Sequence, residues 1–147
     1  MTPVKLNIIN SDYSKACWKC DEEIGTYYHM WWECKWIQKF WKLIFKEMCD
    51  IFGKDIKFNS KIALLSIFDK IGLDYCSKEL ISNFMTSARL LIARFWKDKN
   101  DIKLEDWYNE VWDIALNDKL TTELKMKRGE ISSNIFMLFG VDLLNLY

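Results

Sequence analysis

The chain has 147 residues, half of them hydrophobic, with 21 basic and 21 acidic side chains and a formal net charge of zero. This length fits one domain with a real core, and eight Trp, nine Phe and six Tyr exclude a chain disordered by composition. The lack of a basic excess weighs against strong non-specific binding of nucleic acid, so any such binding must come from local patches.

The longest apolar runs are four or five residues, and the opening MTPVKLNIIN lacks the core and cleavage site of a signal peptide. No membrane span is expected, and the protein is expected to be intracellular, in cytoplasm or nucleus. A reducing compartment keeps thiolates free for metal and leaves Cys49 and Cys76 as unpaired thiols.

Residues 3–9, PVKLNII, form a short apolar and β-branched run that reads either as a strand or as a docked extension, and 10–15 is polar and turn-like. Next comes CWKCDEEIGTYYHMWWEC, which holds three of the five cysteines and the only histidine in the spacing C-x2-C-x8-H-x4-C. Zinc takes four soft or borderline ligands in a tetrahedron. A C-x2-C pair presents two thiolates from one tight turn, and a short second arm supplies the other two. The expected ligands are Cys17, Cys20, His29 and Cys34, with Gly25 using its freedom at positive φ to fold the arm back. Ordinary core cysteines with an incidental histidine, or a disulfide, are the competing explanations. Clustering within 18 residues favours metal, and four protein ligands imply a closed structural site.

From about Trp31 to Phe52 the pattern predicts one long amphipathic helix, stopped by Gly53. Ile37, Phe40, Trp41, Ile44, Phe45 and Met48 share its core face, while Lys35, Lys39, Lys42 and Lys46 form a stripe opposite. The stripe is either a solvated surface or a row of ammonium groups set to meet phosphates. Residues 54–68 read as a connector with a short buried piece. After a break at 72–77, Ser77 is the expected N-cap of a helix reaching Lys97, with Arg94 on the side opposite its apolar face. Lys97 to Lys103 is a polar loop, and Asp101 is the expected N-cap of a third helix with Glu105 and Asp106 in its first turn. Residues 119–128 read as a short helix or a mobile linker, and the apolar segment 135–147 as a last docked helix.

Together these elements predict an all-α fold: an irregular bundle of about four to five helices with an N-terminal zinc-knuckle-like site. Residues 1–53 carry the extension, the site and the long helix. Residues 54–147 supply the helical remainder of the same domain.

These residues carry a resemblance. TPVKLNII, CWKC, IGTYYHMWWECKWIQKFW, KFNSKIALLSIF, ARLLIARFWK and LEDWYNEVW are similar to the C-terminal region of the reverse-transcriptase protein encoded by the second open reading frame of LINE retrotransposons of the L-one type. The resemblance covers most of the chain and weakens after about Thr122. It implies that Cys17, Cys20, His29 and Cys34 form a zinc-knuckle-like site and that the region engages RNA, with the rest of the retroelement polymerase as a partner. Two departures stand out: Asp21, Glu22 and Glu23 beside the second cysteine, and Ser60, Lys61 and Ser66 where the family has turn-forming Pro and Gly.

The chain has no aromatic-x-Asp-Asp polymerase signature and one histidine only, so no catalytic role is expected. It reads as a fragment of that larger protein. The expected function is binding of RNA or single-stranded nucleic acid. Phosphates would meet Lys35, Lys39, Lys42 and Lys46, helped by Arg94, Lys97, Lys125, Lys127 and Arg128, with bases stacking on Trp18, Tyr27 or Tyr28. The alternatives are a protein-interaction domain packing on the polymerase body and a non-functional relic.

Overall fold

The structure is a computed structural model that describes residues 1–68, 72 and 75–127, apart from the side chains of 76 and 122–127. The expected helix over 135–147, Arg128, and the side chains of Cys76, Lys125 and Lys127 lie outside the described residues.

The described residues are mostly helical and contain no strand beyond one isolated antiparallel bridge, Ala16 to Ile24. Helix α1 spans Pro3–Ile9. Sequence left this run open between a strand and a docked extension; it is helical because Thr2 accepts the Lys5 N–H as N-cap and Pro3 sits at the first helical position, where its missing donor costs nothing. A π turn covers His29–Glu33, and α2 follows over Lys35–Phe52, ended by Gly53 in the left-handed conformation. The expected unbroken helix from Trp31 is therefore corrected: Cys34, at ψ 128°, separates the π turn from α2.

Helix α3, Ser60–Leu65, is the buried piece of the connector, with Asn59 capping the Lys61 N–H and Ser66 closing it in the left-handed region. Helix α4 spans Tyr75–Phe95, and α5 runs without a break over Leu104–Lys127, through the stretch that sequence left as a helix or linker. Asp101 is not its cap. Asp106 reaches back to the Lys103 N–H, and Asp101 pairs instead with Lys39.

The core lies where α2, α4 and α5 meet. All six residues expected on the inner face of α2 are buried, and they join Ile81, Phe84, Met85, Ala88, Leu91 and Ile92 of α4. Trp107 of α5 is fully buried against Phe84 at 5.4 Å, and its indole N–H donates to the Phe84 carbonyl at 3.0 Å. That bond lets a large amphipathic ring sit in the core without an orphaned donor. Cys17, Met30 and Cys34 belong to the same continuous core, so the knuckle is part of the domain's interior. None of the described helices is long and apolar enough to cross a membrane.

Candidate metal centre

The first arm is a hairpin-like loop. The Cys17 N–H donates to the Glu23 carbonyl and the Gly25 N–H to the Lys15 carbonyl, each at 2.8 Å. Inside the loop the Asp21 N–H returns to the Cys17 carbonyl at 2.8 Å, closing the turn that presents Cys17 and Cys20 together. The residue at positive φ is Asp21, at 58°, rather than Gly25. Gly25 serves another purpose: a Cβ there would lie 2.6 Å from Pro3 Cγ, so its bare backbone lets α1 pack on the loop.

The π turn sets the second arm. At about 100° per residue, positions i and i+5 of an α-helix point roughly 140° apart. Here the Cys34 N–H donates to the His29 carbonyl at 2.8 Å, the i to i+5 bond of a π turn, which brings both residues to one side. The His29 backbone N–H is held by Thr26 Oγ1 at 3.1 Å.

One ligand atom from each of Cys17, Cys20, His29 and Cys34 lies within 4.8 Å of every other, with Cys20 Sγ and His29 Nε2 only 3.4 Å apart. A tetrahedral ion with metal–sulfur bonds of about 2.3 Å sets its sulfurs roughly 3.8 Å apart, so a small contraction of this cluster accommodates one. Cys17, Cys34 and His29 are buried and Cys20 is half-buried, while Cys17, Cys20 and Cys34 are free thiols. The four residues expected from spacing are thus brought together as a cluster able to hold a metal ion.

The sulfur environment favours a thiolate at Cys17. A hydrogen bond from the Cys34 thiol, aided by the backbone N–H groups of Cys20 and Lys19, brings Cys17 down to about 4 against the opposing effect of burial. Cys34 moves upward as the proton donor of that pair and through burial, although the N–H groups of Trp36 and Ile37 at the start of α2 point to its sulfur. The pair therefore shares one proton, in the place where a cation would bridge two thiolates.

Lys19 was not singled out from sequence. It is 5% exposed, and its ammonium donates to the carbonyls of Phe95 at 3.4 Å, Asp98 at 2.7 Å and Asn100 at 2.8 Å. It fastens the knuckle to the end of α4 and the following loop. Burial lowers its pKa, while the nearby negative charges, Asp98 first among them, act to raise it. No local signal could have found it, because its acceptors lie about eighty residues away in sequence.

The residues expected to meet nucleic acid are scattered in circumstance. Lys35 pairs with Glu22, and Lys39 with Asp101 at 2.7 Å. Lys42 and Lys46 are exposed on the same helix and carry no carboxylate partner among the described residues. Arg94 pairs with Glu110 at 2.9 Å. Lys97 lies over the Trp18 ring at 4.6 Å, and Trp96 meets that ring edge-on at 5.4 Å. Half-buried Trp18 thus has neighbours on its face and its edge, whereas Tyr27 and Tyr28 are exposed. Two of the three acids beside Cys20 are ion-paired, Asp21 with Lys99 and Glu22 with Lys35.

No family model matches the chain, and no solved structure matches it.

Proposed function

We propose that this chain is a zinc-stabilised, non-catalytic helical module that binds RNA, in the manner expected of the C-terminal segment of a LINE reverse transcriptase. The observation that carries the proposal is the convergence of three thiols and one imidazole within 4.8 Å. Three sulfurs and a nitrogen in tetrahedral reach suit zinc, which has no redox chemistry and no geometric demand of its own. With four protein ligands there is no open position for substrate or activated water, so the ion would supply cross-linking and no chemistry of reaction. A structural zinc of this kind contributes on the order of 10 kcal/mol to folding, comparable to the entire net stability of a domain.

For the binding role, the support is the run of ammonium groups along α2, with Lys42 and Lys46 unpaired among the described residues, and the exposed aromatic rings beside the knuckle. Each phosphate met by a lysine releases counterions, so affinity should fall with a log–log salt slope of about −0.7 per single-strand phosphate neutralised. The test is titration of zinc-loaded protein with labelled RNA across salt, with and without chelator. Loss of binding with salt and with metal removal supports the reading. No affinity even at low salt would leave the interaction-domain alternative.

That alternative has one specific observation in its favour. Trp112, Leu116 and Leu120, at helical spacing on α5, are 50%, 47% and 51% exposed. A stripe of this size on one face suits packing against another protein surface, such as the body of the parent polymerase.

A further inference from the structure

A pocket of about 460 Å³ opens between the π turn, α3 and α4. That volume falls in the range of small-molecule sites, roughly 300–1,000 Å³. Tyr27, Tyr28 and Trp31 line it from the knuckle, Leu64 and Lys61 from α3, and Arg89 from α4.

Three features set it apart. Its aromatic lining is accessible: Tyr27 is 62% and Tyr28 46% exposed, and Tyr27 stacks on Trp31 at 5.6 Å and 27°. The Trp31 indole N–H is buried with no acceptor among the described residues, which is unusual for a group that costs about 1–3 kcal/mol to leave unpaired. Third, Arg89 is half-buried, and every acceptor of its guanidinium is neutral: the Ala63 carbonyl at 2.9 Å, Ser66 Oγ at 3.2 Å and Thr86 Oγ1 at 2.7 Å. No carboxylate pairs with it among the described residues, and burial lowers its pKa with no charge opposing the shift.

A half-buried cation held by neutral oxygens keeps its attraction for an anion, and the planar guanidinium has further donors to offer a phosphate. Its lining also differs from that of two other concavities. The one between α2 and the start of α5 sets Lys39 and Lys103 beside Asp101 and Glu105, and the one beside α1 sets Lys15 beside Asp12, Glu22 and Glu23, so carboxylates offset the cations in both. Among the described residues, no carboxylate lines the pocket at Arg89.

We infer that this pocket takes one nucleotide of a single-stranded RNA, the base lying on the Tyr27, Tyr28 and Trp31 surface and the phosphate meeting Lys61 and Arg89. The inference rests on the RNA-binding reading and gives it a location. Lys61 is exposed and free to reach outward, while Arg89 is anchored and fixes the position of the charge. An aromatic platform beside a cation is the combination that holds bases with little regard to sequence.

The experiment uses the full zinc-loaded chain with a short oligouridine carrying 5-iodouridine, photo-crosslinked and mapped by peptide mass spectrometry, alongside affinities of Tyr27→Ala and Lys61→Glu. Tyr27 and Lys61 are exposed, so both variants should retain metal and helical content. Expected are crosslinks within residues 27–31 and an affinity loss of about tenfold for Tyr27→Ala. An abasic oligomer of equal length should bind wild type and Tyr27→Ala alike but bind Lys61→Glu more weakly. Wild-type affinity in both variants, with crosslinks elsewhere, overturns the pocket and leaves RNA binding standing. No binding by the wild-type protein at low salt overturns both.

Discussion

The Cys34 N–H donates to the His29 carbonyl across five residues, and that single bond turns two ligands toward one point. An α-turn in the same place would leave them on different sides of the helix. Inserting one residue between His29 and Cys34 should therefore abolish metal binding although all four side chains remain, because at about 100° per residue i and i+6 point roughly 120° apart, whereas a deletion leaves them at i and i+4 on one α-helical face and should be tolerated better. Cobalt substitution checks this: wild type should show intense thiolate charge-transfer bands at one ion per chain, and the insertion should lose them.

Replacing Cys34 by Ala removes a ligand that is also 0% exposed and central to the core. The expected loss is the larger part of the metal's contribution, on the order of several kcal/mol, enough to unfold the domain at moderate temperature. Thermal unfolding followed by circular dichroism measures it. Chelation of the wild-type protein should produce a similar curve.

Gly25→Ala should cost about 1–3 kcal/mol, because its Cβ would meet fully buried Pro3 at 2.6 Å and neither backbone can give way freely. Combining it with Pro3→Ala removes Cγ, the atom it strikes hardest, and Cδ, leaving only Cβ at 3.0 Å. Denaturant titration of the two single variants and the double should show positive coupling, the double being less destabilised than the sum.

Lys19→Met keeps the length of the side chain and removes its three charge-assisted bonds, leaving the carbonyls of Asp98 and Asn100 short of a donor while that of Phe95 keeps the Asp98 N–H. A loss of about 2–4 kcal/mol is expected in metal-loaded protein. Metal stoichiometry should stay near one per chain. Hydrogen exchange should quicken at residues 95–100, where the clamp is attached.

Metal affinity should rise with pH. With Cys17 lowered to about 4 and Cys34 raised, the metal-free pair keeps one proton through the neutral range, and the bound ion requires none. Displacing that proton alone strengthens apparent affinity by about tenfold per pH unit. Competition with a chromophoric chelator between pH 6 and 8 gives the slope, and a flat profile would contradict the shared-proton description.

The clustering of Cys17, Cys20, His29 and Cys34 was legible because metal chemistry constrains residue type and local spacing, and both are visible in a linear sequence. The inner face of α2 was legible for a similar reason, since its period of 3.6 is strong over five turns. What escaped depends on space. The π turn has no compositional signature, and Asp21 took the left-handed position expected of Gly25. Residues 3–9 favoured a helix because Thr2 and Pro3 define its start, which outweighs the preference of Val4 and two isoleucines for strands. Lys35 and Lys39 looked like a free stripe because Glu22 and Asp101 approach them from other segments. Lys19 and Arg89 gain their meaning wholly from acceptors on distant elements.

The central claim is most directly tested by elemental analysis of the full chain purified without chelator. The account predicts close to one zinc per folded chain. A value near zero in protein that keeps its helical content would contradict it.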